Sequence, residues 1–346
     1  MKKIIALTAV IALVWACKND KNNKSEEAAP QEVNVYTHRH YPPDQELFAI
    51  FEKETGIKVN VVNASADELI QKMTFEGEES PADVLITVDA GRLVRAKEKG
   101  LLQSISSPKL DSIIPSHLKD EDKQWFALTK RARIIAYAKD RVSADQLSTY
   151  EDLASENWKN KILIRSSGNI YNQSLMASLI ANLGEEAARD WATKIVSNMA
   201  RDPKGNDRDQ VKAVVAGEGD LAVVNTYYIG KLINSEDPEE VKAGNGIQIF
   251  FPNQEDRGTH INISGAGVAK YAPNKPNAIK FIEFLASKQA QAVFAEANYE
   301  YPVHPEVQPS ALLQSWGQFK EDELSLSQLG IKNKEAVIIF DEVGWK

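Results

Sequence analysis

Four tyrosines and one histidine stand directly after predicted strands, and their side chains are of the kind that hold a hard metal ion. They are His40, Tyr41, Tyr171, Tyr227 and Tyr228. A phenolate is an anionic oxygen donor, and hard, highly charged cations such as Fe³⁺ prefer oxygen ligands. A free tyrosine has a pKa of about 10, but a bound cation can keep a coordinating group deprotonated at neutral pH. Several phenolates would neutralise a trivalent ion, and a neutral imidazole would add a donor without charge.

The spacing of these residues leaves other interpretations open. A pair such as Tyr227-Tyr228 more often packs in a core with one hydroxyl hydrogen-bonded. Residues 165–169 (RSSGN) could instead bind an oxyanion at a helix N-terminus. A sugar site would favour tryptophan platforms, and the tryptophans lie away from the strand ends. The residues alone therefore predict a binding site whose ligand is a ferric ion, an oxyanion, a sugar or a polyamine.

The elements that position these residues follow a βαβ rhythm. Short apolar runs predict strands over residues 33–36, 57–62, 84–88, 134–137, 162–164, 221–224, 247–251 and 261–269. Helical spacing of apolar residues predicts helices over 44–55, 66–77, 174–183, 185–196, 209–216, 276–286 and 289–297. This order is typical of an α/β fold. Because ligands in open α/β sheets bind beyond the carboxyl ends of strands, the segments that follow these strands are the expected site.

The N-terminus has the pattern of an exported lipoprotein. Lys2 and Lys3 precede an apolar run over residues 4–14, which is shorter than the ~20 residues of a membrane-spanning helix. Ala16-Cys17 ends this run and resembles a lipobox. We predict a signal peptide over residues 1–16, lipidation of Cys17 and a flexible tether over residues 17–32. The alternatives are an ordinary signal peptide with an unrelated cysteine, or a short N-terminal anchor.

The composition argues against several classes of function. A net charge of -8 does not favour nucleic acid as a partner, and a single cysteine allows no intramolecular disulfide. The patterns G-x-S-x-G, H-E-x-x-H and paired C-x-x-C are absent from the sequence, so we do not expect an enzyme. Removal of 16 residues from 346 leaves 330, which is enough for two lobes.

Eight segments, in order, resemble the bacterial ferric iron substrate-binding proteins. They include VNVYTHRHY, SPADVLITVDAGRL, IRSSGNIYNQSL, DLAVVNTYYIGKL and NYEYPV, and the resemblance extends over residues 33–346. It implies a two-lobed periplasmic binding protein fold (type II), each lobe a mixed sheet flanked by helices, with iron in the cleft between the lobes. One branch of this family uses a histidine and four tyrosines. Its His-Tyr, Tyr-Asn-Gln and Asn-Thr-Tyr-Tyr motifs match His40-Tyr41, Tyr171 and Tyr227-Tyr228.

The resemblance also implies residues around the ligands. Four phenolates on Fe³⁺ leave a net charge of -1, which Arg131 or Arg133 would offset from the crossover between the lobes. His38 stands where a small hydroxyl residue is expected, and is a neighbour of the ligands, an alternative ligand or a solvated bystander. Other members of the family complete the coordination with carbonate or another small anion. A full set of five ligands reduces the need for such an anion here.

The same resemblance predicts the domains and the partners. One lobe would comprise residues 33–128 and about 255–300, and the other residues 129–254 and about 301–346. The first would bring two ligands and the second the remaining three, so that iron closes the lobes about hinges near residues 129–133 and 254–264. The expected partners are the permease and ATPase of an ABC iron importer, and a membrane that holds the lipid anchor. We expect a monomer located in the periplasm.

Overall fold

The computed structural model describes residues 31–39 and 41–346, so His40, the predicted signal peptide and Cys17 lie outside the described residues. The strands are β1 (Glu32–Thr37), β2 (Lys58–Asn63), β3 (Val84–Val88), β4 (Phe126–Ala138), β5 (Ile162–Leu163), β6 (Leu221–Asn225), β7 (Ile247–Phe250), β8 (Ile261–Val268) and β9 (Tyr301–Pro302). The helices are α1 (Pro42–Thr55), α2 (Ala66–Glu76), α3 (Ala90–Glu98), α4 (Pro108–Ile113), α5 (Ile170–Leu183), α6 (Glu185–Asn198), α7 (Asp207–Val215), α8 (Thr226–Ile233), α9 (Pro238–Gly246), α10 (Lys275–Leu285), α11 (Lys288–Asn298), α12 (Ala311–Ser315), α13 (Ser327–Ile331) and α14 (Asn333–Glu342).

Every strand and helix that the sequence pattern predicts has a counterpart in the structure. Gly56 ends α1 with a φ of 71°, a conformation that glycine adopts without steric cost. Ser65 begins α2, and its side chain accepts a hydrogen bond from the backbone N–H of Glu68. The Glu68 side chain in turn accepts a hydrogen bond from the backbone N–H of Ser65. The predicted tether extends slightly too far, because Glu32 already belongs to β1. Among the predicted helices, the largest shift is at α5, which begins at Ile170 rather than at residue 174.

The pattern predicts only the C-terminal part of the long strand β4. Only residues 134–137 were predicted as a strand, because the basic run 130–133 interrupts the apolar sequence. In the structure every residue of β4 except Lys130 is buried, including Arg131 and Arg133 at 1% and 2% exposure. Burial on both faces removes the alternation by which a strand is usually detected.

The strand β4 joins two regions of one mixed sheet. Its residues 126–132 pair with β8, which is followed by β3, β1 and β2, and β9 pairs at residues 129–130. Its residues 133–137 pair with β6, which is followed by β5, and β7 pairs at residues 135–138. We call β1, β2, β3, β8 and β9 the first sheet region, and β5, β6 and β7 the second. The change of partner falls between Ala132 and Arg133, inside the predicted crossover.

Helices cover both regions and enclose the apolar core. Phe51 of α1 packs on Phe281 and Phe284 of α10, while Trp345 contacts Trp191 of α6 and Phe340 of α14. Aromatic contacts of this kind add to the free energy gained by apolar burial. In the ranges that the structure describes, no helix is both long and apolar enough to traverse a bilayer.

Candidate metal centre

Three of the predicted tyrosines lie in the first turns of two helices. Tyr171 is the second residue of α5, and its backbone N–H donates to the Asn169 side chain at 3.1 Å. Tyr227 and Tyr228 lie in the first turn of α8, which begins as soon as β6 ends at Asn225. Neighbours on a strand point to opposite faces, whereas this change to a helix leaves the two rings 4.2 Å apart. The chain therefore leaves the sheet here, as it must if both tyrosines are to bind one ion.

Two of these tyrosines, Tyr171 and Tyr227, are in contact through their hydroxyl groups. The Tyr227 hydroxyl donates to the Tyr171 hydroxyl at 3.1 Å. Tyr41 lies at the junction of β1 and α1. The Nζ atom of Lys231 is 4.0 Å from the Tyr41 ring centroid and 5.3 Å from that of Tyr227, so this lysine contacts both rings. Within residues 31–39 and 41–346, no group of three or more His, Cys, Asp or Glu side chains could hold a metal ion.

Burial controls the protonation of these phenols. Burial raises the pKa of Tyr41, and the Glu300 carboxylate and Tyr171 add to the rise. The pKa of Tyr227 is raised by burial and then by the neighbouring Tyr171 and Tyr228, and burial also raises the pKa of Tyr228. These three phenols are consequently neutral at pH 7 unless a cation displaces their protons.

Three guanidinium groups surround the Tyr171 ring. The Cζ atoms of Arg131, Arg133 and Arg165 lie 5.6, 5.9 and 5.8 Å from its centroid. Arginine at this distance from an aromatic ring is attracted to its face. Their combined positive charge would offset the negative charge of a tyrosinate ligand set.

Arg131 and Arg133 differ in how their donors are used. Arg133 donates to Asp207 at 3.2 Å through Nη1 and to Asn172 at 2.7 Å through Nη2. Arg131 donates only to Ser264, at 3.4 Å, and its Nε and Nη2 have no hydrogen-bond partner anywhere in the described chain. Buried polar groups are rarely left unpaired. In the described part of the chain Arg131 thus has two unpaired donors for a bound group, whereas Arg133 has one, its Nε.

The neighbourhood of Tyr41 contains a buried ion triad that sequence reasoning missed. Arg39 Nε lies 3.1 Å from Asp44 Oδ1, and its Nη1 lies 3.1 Å from Glu300 Oε2. The Arg39 guanidinium also lies 5.1 Å from the Tyr41 ring centroid. The Tyr41 backbone N–H donates to Asp44 at 3.2 Å, so the triad fixes the corner that bears Tyr41. Arg39 and Glu300 are 261 positions apart, and no local pattern relates them.

Lys231 and His38 complete the surroundings. Burial lowers the pKa of Lys231, which lies against two of the tyrosines. The sequence indicates that Lys231 lies near the tyrosines only through its position, one turn after Tyr227 on α8. The His38 backbone N–H donates to the Ile86 carbonyl at 3.1 Å and fixes the end of β1 beside β3. Its predicted place beside the ligands stays a prediction.

Comparison with known proteins identifies the family. The family of bacterial extracellular solute-binding proteins matches residues 79–318, more than half of the chain. The chain belongs to this family. This solute-binding protein is 52% identical in sequence to Iron uptake protein A1 of Synechocystis. The match extends over 316 residues, which cover 91% of this chain and 88% of that protein. Members of the family bind solutes for transport, so the prediction that this chain is not an enzyme is confirmed.

Solved structures similar to this solute-binding protein confirm the fold. Trichodesmium FutA, in complex with iron and citrate, superposes with a TM-score of 0.89 at 51% sequence identity. The superposition covers 91% of this chain and 100% of that chain. The ferric binding protein from Campylobacter jejuni gives a TM-score of 0.86 at 48% identity, with coverage of 91% and 100%. The predicted α/β, two-lobed periplasmic binding protein fold of type II is confirmed, as is the resemblance to ferric iron substrate-binding proteins.

Proposed function

We propose that this protein captures Fe³⁺ in the cleft between its lobes and delivers it to the permease and ATPase of an ABC iron importer. The ligands would be His40, Tyr41, Tyr171, Tyr227 and Tyr228. The observation that carries the proposal is the 3.1 Å contact between the Tyr171 and Tyr227 hydroxyls, with Tyr41 and Tyr228 beside them. The iron-binding relatives support the same cargo.

The buried phenols suit a trivalent ion better than a neutral or divalent solute. Each phenol that loses its proton adds one negative charge, and a carboxylate set of the kind that binds divalent ions is absent from the described part of the chain. Arg131 would offset the excess negative charge. Its two unpaired nitrogens also suit a small anion that completes the coordination, a secondary part of the proposal.

The test of this function is the metal content and the visible spectrum of the purified protein. Phenolate-bound Fe³⁺ absorbs visible light, so we expect a coloured protein with about one iron per chain. If the protein bound Fe²⁺ through the imidazole, metal analysis would detect iron, but the visible absorption band would be absent until the iron was oxidised. A colourless, iron-free protein that cannot be loaded with Fe³⁺ would contradict the proposal and favour an oxyanion or a polyamine as the solute.

We further propose that the lobes close around the ion by rotation about β4. The lobes would be residues 33–128 with about 255–300, and residues 129–254 with about 301–346. The change of partner strand between Ala132 and Arg133 supports a hinge at this point. Since Tyr41 and the other three tyrosines attach to different sheet regions, an ion that they share binds the closed state preferentially.

Closure predicts a change of size in solution. Small-angle X-ray scattering should give a smaller radius of gyration with Fe³⁺ than without it, because the ion joins the two lobes. Tyr41→Phe, which removes a ligand on one side of the cleft, should reduce the change. Identical scattering profiles for the metal-free and iron-loaded protein would mean that the ligands do not span a moving cleft.

The lipid anchor is a separate proposal that rests on Ala16-Cys17 at the end of the apolar run. We expect Cys17→Ser to release the protein from the membrane fraction or to stall its processing, because no thiol is available to carry the lipid. Fractionation of cells followed by immunodetection measures this. Ser25→Ala, in the predicted tether, is the control and should stay with the membrane. A Cys17→Ser protein that is cleaved normally and still fractionates with membranes would contradict the lipobox.

A further inference from the structure

A buried carboxylate at the end of β3 contacts the helix that bears Tyr171. Asp89 follows β3 directly and begins α3, where its side chain accepts a hydrogen bond from the Gly91 backbone N–H at 2.9 Å. The Asn262 side-chain amide donates to the same carboxylate at 2.8 Å, and the Asp89 backbone N–H donates to the Ile263 carbonyl at 2.8 Å. Asp89 is thus fixed within the first sheet region and is fully buried.

The backbone of Asp89 is in a conformation that non-glycine residues rarely adopt. Its φ is 85°, and strain of this kind persists only where the surrounding structure holds it. Such residues concentrate at functional sites. The strain turns the chain from β3 into α3 and leaves the carboxylate facing α5.

The remaining side-chain hydrogen-bond partner of Asp89 lies on α5, the helix that follows β5 of the second sheet region. The Ser174 hydroxyl lies 2.9 and 2.8 Å from the two carboxylate oxygens of Asp89. Ser174 is fully buried on α5, one turn after Tyr171 and therefore on the same face of the helix. The helix α13 packs against both α3 and α5 and so links the two helices beyond this one contact.

We propose that Asp89 and Ser174 form a latch that positions the Tyr171 turn of α5 and holds the lobes closed around the bound ion. This inference rests on the proposed function. Asp89 belongs to one lobe and Ser174 to the other, so the hydrogen bond exists when the lobes are closed and is lost when they separate. A hydrogen bond to a charged group contributes more than a neutral one, so the latch should slow the release of iron. Asp89 and Ser174 are positioning residues, since they are proposed to act through the Tyr171 turn of α5 and not as ligands of the ion.

Ser174→Ala tests the latch, and Ser178→Ala is its matched control. Ser178 is buried on the same helix one turn later, but its hydroxyl accepts a hydrogen bond from Asn182 of that helix rather than from the other lobe. We expect Ser174→Ala to release iron to an excess chelator about tenfold faster than the wild type, with the charge-transfer band retained. Ser178→Ala should release it at the wild-type rate. The melting temperature of the metal-free protein should be similar for both variants, because in the open state water can solvate Asp89.

A second variant protects the test against misfolding. Asp89→Asn keeps the size of the side chain, and asparagine tolerates a positive φ better than most residues. It removes the charge that Ser174 contacts, so it should also speed release, whether or not Ser174→Ala folds.

Release by either folded variant at the wild-type rate would overturn the latch. A wild-type protein that shows no iron-dependent band would overturn the proposed function itself, and the two failures are therefore distinguishable.

Discussion

Tyr227→Phe is expected to weaken Fe³⁺ binding by roughly 100-fold or more and to shift or bleach the visible charge-transfer band. Loss of a residue that only supports a metal ligand costs about 10–100-fold in affinity, and loss of a ligand should cost at least as much. The substitution removes the oxygen and keeps the ring, so packing should change little. Tyr228→Phe should act in the same way, since the two rings lie side by side in the first turn of α8. Absorption spectra and competition with a chelator measure both effects.

The rise in melting temperature on addition of iron gives a second measurement. An ion that binds only the folded state stabilises it by about 4 kcal/mol at a thousandfold excess over the dissociation constant. The ligand variants should lose most of this rise. Tyr137→Phe is the control: Tyr137 is buried and its hydroxyl donates to Gln248 at 2.7 Å on β7, outside the tyrosine cluster. If Tyr227→Phe, Tyr228→Phe and the double variant keep the colour and the full thermal shift, the proposed centre is wrong.

Iron should be lost steeply as the pH falls. Burial raises the pKa of Tyr41, Tyr227 and Tyr228, so these phenols carry protons in the metal-free protein and Fe³⁺ must displace them. Each displaced proton makes the apparent affinity fall by about tenfold per pH unit, so displacement of several phenol protons gives a correspondingly steeper dependence. Because Fe³⁺ and protons compete for the phenol oxygens, the affinity for iron rises as the pH rises and falls as the pH falls.

Titration of the iron-loaded protein from pH 8 to pH 4, with the charge-transfer band as the readout, measures this dependence. Tyr41→Phe is the informative comparison, because removal of one phenol should make the slope shallower by about tenfold per pH unit. Unchanged retention of iron across this range would count against tyrosinate ligands.

The sequence by itself predicts the chemistry of the candidate site and the strands that precede its tyrosines. Tyr41, Tyr171 and the Tyr227-Tyr228 pair follow strands whose apolar runs are visible in the chain, and ligands gather beyond the ends of such strands. The adjacent pair also required the chain to leave the sheet after β6. That constraint follows from strand geometry, and the start of α8 at Thr226 satisfies it.

The tertiary structure decided how these pieces meet. The strand β4 changes its partner strand between Ala132 and Arg133. The sequence of β4, which is buried and includes charged residues, does not indicate this change. The contact of Arg39 with Glu300 spans 261 positions, and that of Ser174 with Asp89 spans 85. Periodicity and spacing report only which face of a helix or strand a residue occupies. Which buried charge meets which partner depends on the packing of distant elements, because a charge excluded from water is stable only where the fold supplies its counterpart.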